Sequence, residues 1–305
     1  MLKKSFFIIL FSSMSLLGFD YQLKPLKVAN DIWCFIGKLE APSAKNGGFM
    51  SNSCYIKTPT SYILIDSGAT YAFAQQAYAA MSNIAKLPVE MVISTHAHDD
   101  HWLGNSFYKQ QFNAKILGPS LINKEYNPHT QTRMMQMLPK TFLENTKIVG
   151  VDEEITSIKE LHLGNKQIII IPVGYKAHTS DDLFVYLPQE KVLFSGDLVM
   201  NGRITSNRDG SVIGSLKALE QIQQKQWDVL VPGHGTDTSK TAANEITNYF
   251  TQLKIQVLNA IKNDVMAADI SKTVTLEEFK DKAMYEELNK RNVFDAYQEL
   301  EFYEE

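Results

Sequence analysis

The chain has 305 residues, a formal net charge of −4, 44% hydrophobic residues and 21% charged residues. This is the balance of an ordinary globular protein with enough chain for one large domain or two small ones. A mildly acidic chain without basic runs makes a poor partner for nucleic acid, and no internal repeat or low-complexity tract is present.

The first residues stand apart. Lys3 and Lys4 precede the apolar run Ser5 to Leu17, which is too short to span a bilayer comfortably. Residues 1–18 read as a secretory signal cleaved near Gly18, with an uncleaved anchor as the alternative. The mature chain is then expected in the periplasm or outside the cell, with no stable membrane insertion. No cysteine follows the apolar run, which argues against a lipoprotein. Cys34 and Cys54 are the two cysteines. In an exported chain they could form a disulfide, and they could equally be two small buried residues on neighbouring strands.

Ile32 to Ile36 and Cys54 to Lys57 read as strands. The loop between them carries Gly47-Gly48-Phe49-Met50, which reads either as an apolar flap over a site or as an ordinary hairpin loop. Tyr62 to Ile65 is a strand ending in Asp66-Ser67-Gly68. An alanine-rich helix follows from about Tyr71 to Lys86, and Val89 to Thr95 returns as a buried strand. Strand, helix and strand make a βαβ unit, so the sheet is at least partly parallel.

The chemistry begins where that strand stops. Histidine occurs seven times in the chain, and three instances fall within T-H-A-H-D-D-H, as His96, His98 and His101, with Asp99 and Asp100 between them. Neutral imidazole and carboxylate oxygen both suit zinc. The spacing can send His96 and His98 toward one ion and Asp100 and His101 toward a second. Two ions about 3.5–4 Å apart can hold one hydroxide between them.

Beyond this loop, Asn105 to Phe112 reads as a helix and Ala114 to Leu117 as a short strand. Leu121 to Lys147, with Met134, Met135, Met137, Pro128 and Pro139, has no clear period, and His129 within it reads as a surface residue. Ile168 to Ile171 is a strand running on to Ala177-His178-Thr179. Leu183 to Leu187 and Val192 to Phe194 form a hairpin that ends in Ser195-Gly196-Asp197, and Val229 to Val231 ends in Pro232-Gly233-His234-Gly235. Thus His96, His178, Asp197 and His234 each follow an apolar strand-like run, and ligands at strand ends converge on one rim of a sheet. Gly196 and Gly233 let the backbone turn just before a ligand. His162 lacks that context and reads as structural.

A helix around Ser215 to Gln224 precedes the last strand. From Lys240 onward the period is helical. Ile246, Tyr249, Phe250, Leu253, Val257 and Ile261 lie on one face, Thr275-Leu-Glu-Glu278 reads as a capping box, and a last helix is expected over Val293 to Phe302. These helices could close the core or wall the pocket.

The motifs T-H-A-H-D-D-H, A-H-T, S-G-D and P-G-H-G, in this order, resemble the metallo-β-lactamase superfamily of metallohydrolases, over roughly Asp31 to Thr238. The resemblance implies an α/β (α+β layered) fold, an αββα sandwich over residues 19–239, with a C-terminal helical extension over 240–305 packed on it. By motif position it implies His96, His98 and His178 around a first zinc and Asp100, His101 and His234 around a second, with Asp197 bridging. Asp66 matches an aspartate that steadies the metal loops. Asp197, where the cysteine-containing lactamases have Cys, resembles the thioesterase, nuclease and general hydrolase branches. Gly202-Arg203-Ile204, Asp209-Gly210-Ser211 and the C-terminal N-V-F-D-A-Y-Q-E-L-E resemble exported zinc metallohydrolases of the quinoprotein relay type. Ser180-Asp181-Asp182 departs from the relatives, which more often carry a glycine before the aspartate.

The expected activity is zinc-dependent hydrolysis of a small-molecule ester, thioester, lactone or amide, with Asp100 orienting the water and carrying a proton. Asp99 is expected to have no ligand role, and no loop shows a recognisable anion clamp. The alternatives are a mononuclear iron enzyme acting on persulfides through His96, His178 and Asp197, β-lactamase activity at the same site, and a non-catalytic protein that keeps the site for structure.

Overall fold

The computed structural model describes residues 18–303; the expected leader, apart from Gly18, lies outside them. Among these described residues twelve strands form two sheets. The first contains β1 (Leu26–Ala29), β2 (Ile32–Phe35), β3 (Ser53–Lys57), β4 (Tyr62–Ile65), β5 (Val89–Ile93), β6 (Lys115–Gly118) and β7 (Glu153–Glu154), adjacent in that order. The second contains β8 (Lys159–Leu163), β9 (Lys166–Pro172), β10 (Leu183–Leu187), β11 (Val192–Phe194) and β12 (Val229–Val231), also in chain order across the sheet. Pairing is antiparallel from β1 to β4 and parallel from β4 to β7. In the second sheet, β11 and β12 are the parallel pair.

The run Y-I-L-I of β4 is buried at every position, and both of its faces have partners. Ile63 and Ile65 join Ile93, Leu117, Ile168, Ile170, Val185 and Phe194 between the sheets. Tyr62 and Leu64 face the other way, toward the helix Tyr71–Ser82 and the helix Asn105–Phe112. A strand covered on both sides needs no alternation, which is why apolar runs rather than a period of two mark these strands. The outer face of the second sheet, including Phe184, Leu193 and Leu230, is covered by helices Val212–Gln223, Asn244–Lys262 and Tyr285–Leu300. The layers are therefore αββα with further C-terminal helices.

Cys34 and Cys54 are directly opposed across β2 and β3 and form a disulfide, with Cα atoms 4.1 Å apart. Among the described residues no helix is long and apolar enough to cross a membrane.

Two local expectations are corrected. The Thr275 capping box opens no α-helix: Leu276 is left-handed and a single 3-10 turn, Glu277–Phe279, follows. The Thr275 carbonyl instead accepts from Tyr285 Oη at 2.5 Å and Asn289 Nδ2 at 2.6 Å. The last helix starts at Tyr285, eight residues before the expected position. Of the Gly47–Met50 segment, Phe49 packs on Phe73 with ring centroids 4.8 Å apart, while Met50 reaches the cavity described below.

Candidate metal centre

Parallel strands aim their C-terminal ends the same way, and the ligand candidates sit at those ends. β4 leads into Asp66, β5 into the His96 loop, β11 into Asp197 and β12 into His234. The main chain turns tightly there. Gly196 has φ of +51°, and a Cβ on it would lie 2.6 Å from Thr95 Oγ1. A Cβ on Gly233 would lie 2.0 Å from Asp197 Oδ1. Both positions require glycine, one for conformation and one for close approach.

The structure brings all seven predicted side chains together. His96, His98, His178 and Asp197 form one group, Asp100, His101 and His234 a second, and the donor atoms within each lie within 4.8 Å of one another. Asp197 faces both groups. Its Oδ2 is 3.3 Å from His178 Nε2, 3.3 Å from His234 Nε2 and 3.6 Å from His96 Nε2, and its Oδ1 is 3.1 Å from His101 Nε2. Asp100 Oδ2 lies 3.3 Å from His234 Nε2. All but the half-buried His98 are buried.

The far side of each ring shows how the near side is aimed. His101 Nδ1 lies 2.8 Å from Asp66 Oδ2, and Asp66 also accepts from Thr95 N at 2.8 Å and Thr95 Oγ1 at 2.9 Å. His234 Nδ1 lies 2.8 Å from the Met50 carbonyl, so its proton belongs there and Nε2 is left to the cluster. His98 is reversed: Nδ1 points inward, 2.9 Å from His178 Nε2, and Nε2 meets Asp209 Oδ2 at 3.2 Å. Such outer partners fix tautomer and ring orientation in metal sites. Asp182 holds the loop of His178 by accepting from Thr179 N and Thr179 Oγ1, both at 2.8 Å, so the Ser180-Asp181-Asp182 departure removes no ligand.

Charge and hydrogen bonding test whether metal fits. His96 Nε2 is buried without a hydrogen-bond partner, a costly state unless something else satisfies it. Burial, followed by the neighbouring His101, pushes the His96 imidazole well below its ordinary value, toward the neutral form a metal needs. Burial raises the Asp197 carboxyl, but His234, His101 and His96 outweigh it and hold it well below the usual carboxylate range. Asp100 follows the same balance through His101, Arg133 and His234. Burial disfavours the His101 cation, yet Asp197, Asp66 and Asp100 hold it well above the ordinary imidazole range; Asp197 does the same for His178 against burial. Carboxylates so placed gather positive charge wherever it can be found, and the N/O donor set suits a divalent transition ion.

Four side chains near the cluster were not marked in the sequence as site residues. Arg133 Nη2 reaches Asp100 Oδ1 at 2.8 Å and Asp99 Oδ1 at 3.3 Å. Asp99, no ligand, accepts from Met134 N at 2.6 Å and so pins the short helix Arg133–Met137 to the metal loop. Arg203 and Arg208 line the same cavity, of about 230 Å³, as His98, Asp100, His178, Asp197 and His234. These arginines, distant in sequence, converge through tertiary folding, and no local motif announces them. Asp209 carried a family likeness in the sequence but no sign of its contact with His98. His129 and His162 are exposed and remote from the cluster.

The model of the metallo-beta-lactamase superfamily matches residues 46–234, more than half of the chain. The chain belongs to that superfamily. It is similar to the hydroxyacylglutathione hydrolase of Mesorhizobium japonicum, 30% identical over 135 residues, covering 43% of this chain and 44% of the relative. The Brucella ovis hydroxyacylglutathione hydrolase is 26% identical over 162 residues, 52% of this chain and 49% of the relative. The chain thus spans about half the length of the curated relatives it matches. Among solved structures, a metallo-beta-lactamase from Pontibacter korlensis aligns with a TM-score of 0.60 at 22% identity, over 75% of this chain and 99% of that one. The DIM-1 metallo-beta-lactamase aligns with 0.56 at 15% identity, over 75% and 97%. These likenesses show the fold.

Proposed function

We propose that this member of the superfamily is an exported, metal-dependent hydrolase with a dinuclear zinc site, acting on a small-molecule ester, thioester, lactone or amide. One observation carries the reading: two donor groups lie side by side with Asp197 facing both. A mononuclear iron enzyme needs only the first group; the second, with Asp100, His101 and His234 aimed by Asp66 and Met50, favours two ions. The hydroxyacylglutathione hydrolase relatives favour a thioester among the bond types. The Cys34–Cys54 disulfide favours an oxidising compartment, in line with the leader expected over residues 1–18.

His96, His98 and His178 would hold one ion, and Asp100, His101 and His234 the other. When bound, such ions supply activated water and polarise the scissile carbonyl. The protein's own residues set the rest. Asp100 is fixed by Arg133 through Oδ1 and presents Oδ2 to the cluster, where it can take a proton from the attacking water and return it to the leaving group. Burial of the donors excludes bulk water and strengthens each electrostatic contact.

Elemental mass spectrometry on protein purified without added metal tests the reading, paired with chromogenic esters, thioesters and a cephalosporin. About two zinc ions per chain, with hydrolysis lost in Asp100→Ala, is the expected result. One iron per chain with no hydrolysis overturns the reaction class.

A further inference from the structure

His101 and His234 stand 133 positions apart in the chain, yet their Nε2 atoms lie 3.4 Å from each other. The first follows β5 of one sheet and the second follows β12 of the other. Two loops from separate sheets must therefore be held in register before one ion can be gripped by both. The four residues from Met50 to Ser53, which lead into β3, reach both loops.

Each of the four bonds a different part of the site. The Met50 carbonyl faces His234 Nδ1 at 2.8 Å. Ser51 Oγ donates to the Asp100 carbonyl at 2.6 Å, and Ser53 Oγ to the Asp66 carbonyl at 2.7 Å. Asn52 makes the most contacts. Its main-chain N donates to the Gly233 carbonyl at 2.8 Å, and its Nδ2 donates to the carbonyls of Pro232 and Gly235, both at 2.9 Å. Three carbonyls of the P-G-H-G turn thus end on one residue, and the fourth, that of His234, accepts from Asn201 N at 3.1 Å. Asn52 Oδ1 accepts from Gly37 N at 3.0 Å, so the buried amide has both donors and its oxygen in use. Of side chains this size, only an amide offers two donors and an acceptor together.

The first donor group is braced from other places. Thr95 lies against His96, Asp209 against His98, and Asp182 holds the His178 loop. Asp197, which both groups share, is reached at one remove, through Gly233 N donating to the Gly196 carbonyl at 2.8 Å.

We propose that Asn52 is a positioning residue for the second ion: it fixes the His234 turn against the Asp100 loop and so sets how tightly Asp100, His101 and His234 grip together. This rests on the reading that the cluster takes two ions. Ligands held in place before binding make a tighter site than ligands that must be ordered by the ion, and partners outside the ligand set are worth about 10–100-fold in affinity.

The test is stepwise zinc uptake by the metal-free full chain in competition with a chromogenic chelator. Wild type should show two steps, and His101→Ala should lose the step that belongs to the second group, which identifies it. In Asn52→Ala that step should weaken about 10–100-fold while the other stays within about twofold. Should Asn52→Ala fail to fold, Ser51→Ala removes one hydroxyl from the Asp100 carbonyl and should weaken the same step about fivefold, as for loss of one hydrogen bond. A role in folding alone would not separate the two steps. Equal losses in both steps, or no loss in either, overturn the proposal while two ions remain in the wild type. A wild type with a single step removes the two-ion reading and this proposal with it. Two steps that shift as expected, with no ester or thioester hydrolysed, leave the Asn52 role standing and remove the hydrolase reading instead.

Discussion

Asp66→Asn isolates the link between the fold and the metal loops. Asp66 has φ of +55°, a left-handed conformation that asparagine also tolerates, so the backbone is spared. The carboxylate faces three donors: Thr95 N, Thr95 Oγ1 and His101 Nδ1, at 2.8, 2.9 and 2.8 Å. An amide has one accepting atom where the carboxylate has two, so at least one of these buried donors is opposed by an N–H. An unmet buried donor costs about 1–3 kcal/mol of stability. His101 also loses the anion that holds its proton on Nδ1, and loss of such a partner weakens metal binding by about 10–100-fold. At saturating zinc a tenfold loss removes about a further 1.4 kcal/mol of linked stabilisation. Urea unfolding with and without zinc gives the stability terms, and competition with a chromogenic chelator gives the affinity. The expected pattern is a larger loss in the zinc-bound protein than in the metal-free one. A stability loss equal in both, with zinc affinity within twofold of wild type, would refute the argument: Asp66 would then serve the fold alone.

Zinc uptake at pH 7 should acidify an unbuffered solution, because His101 and His178 are held above the ordinary imidazole range without metal and must lose protons to become ligands. The sign follows. In the metal-free protein the stability these groups contribute is full below the unfolded imidazole value and is lost as pH rises through their raised values, whereas zinc-dependent stability should increase with pH. A pH-stat titration showing no proton release contradicts the assignment of His101 as a ligand. Reducing the Cys34–Cys54 disulfide, with a sequence separation of 20, should lower stability by about 3 kcal/mol, read as a shift in urea midpoint with and without dithiothreitol; no shift would mean the bond does not restrain the unfolded chain. Glu299→Ala should cost about 1–2 kcal/mol, because Glu299 accepts from Ser211 Oγ at 2.5 Å and Val212 N at 2.7 Å and so caps a helix from the C-terminal segment. Thermal unfolding checks it, and an unchanged midpoint would mean that this cap is dispensable.

What could be seen in the sequence, and what could not, divides along the range of the interactions. The strands were legible because burial on both faces writes itself as Y-I-L-I or I-I-I-I. The ligands were legible because each follows such a run, with Gly196 and Gly233 marking turns that only glycine permits. The Thr275 box was legible and misleading: a local cap signal lost its carbonyl to Tyr285 and Asn289, ten and fourteen residues away, and tertiary contacts override a marginal local preference. The arginines lay beyond reach for a related reason. Arg133 and Arg203 are 70 positions apart, on segments with no period, and they face one cavity only because the Arg133 helix is pinned by Asp99 and the Arg203 loop by Glu245, Ala283 and Asn292. The metal ligands are set by strand ends, which the core dictates. The cavity wall is set by loops fastened from the C-terminal helices, which the core leaves free. A change of substrate therefore requires changes in the loops and the C-terminal segment, while the seven donors and the two sheets stay as they are.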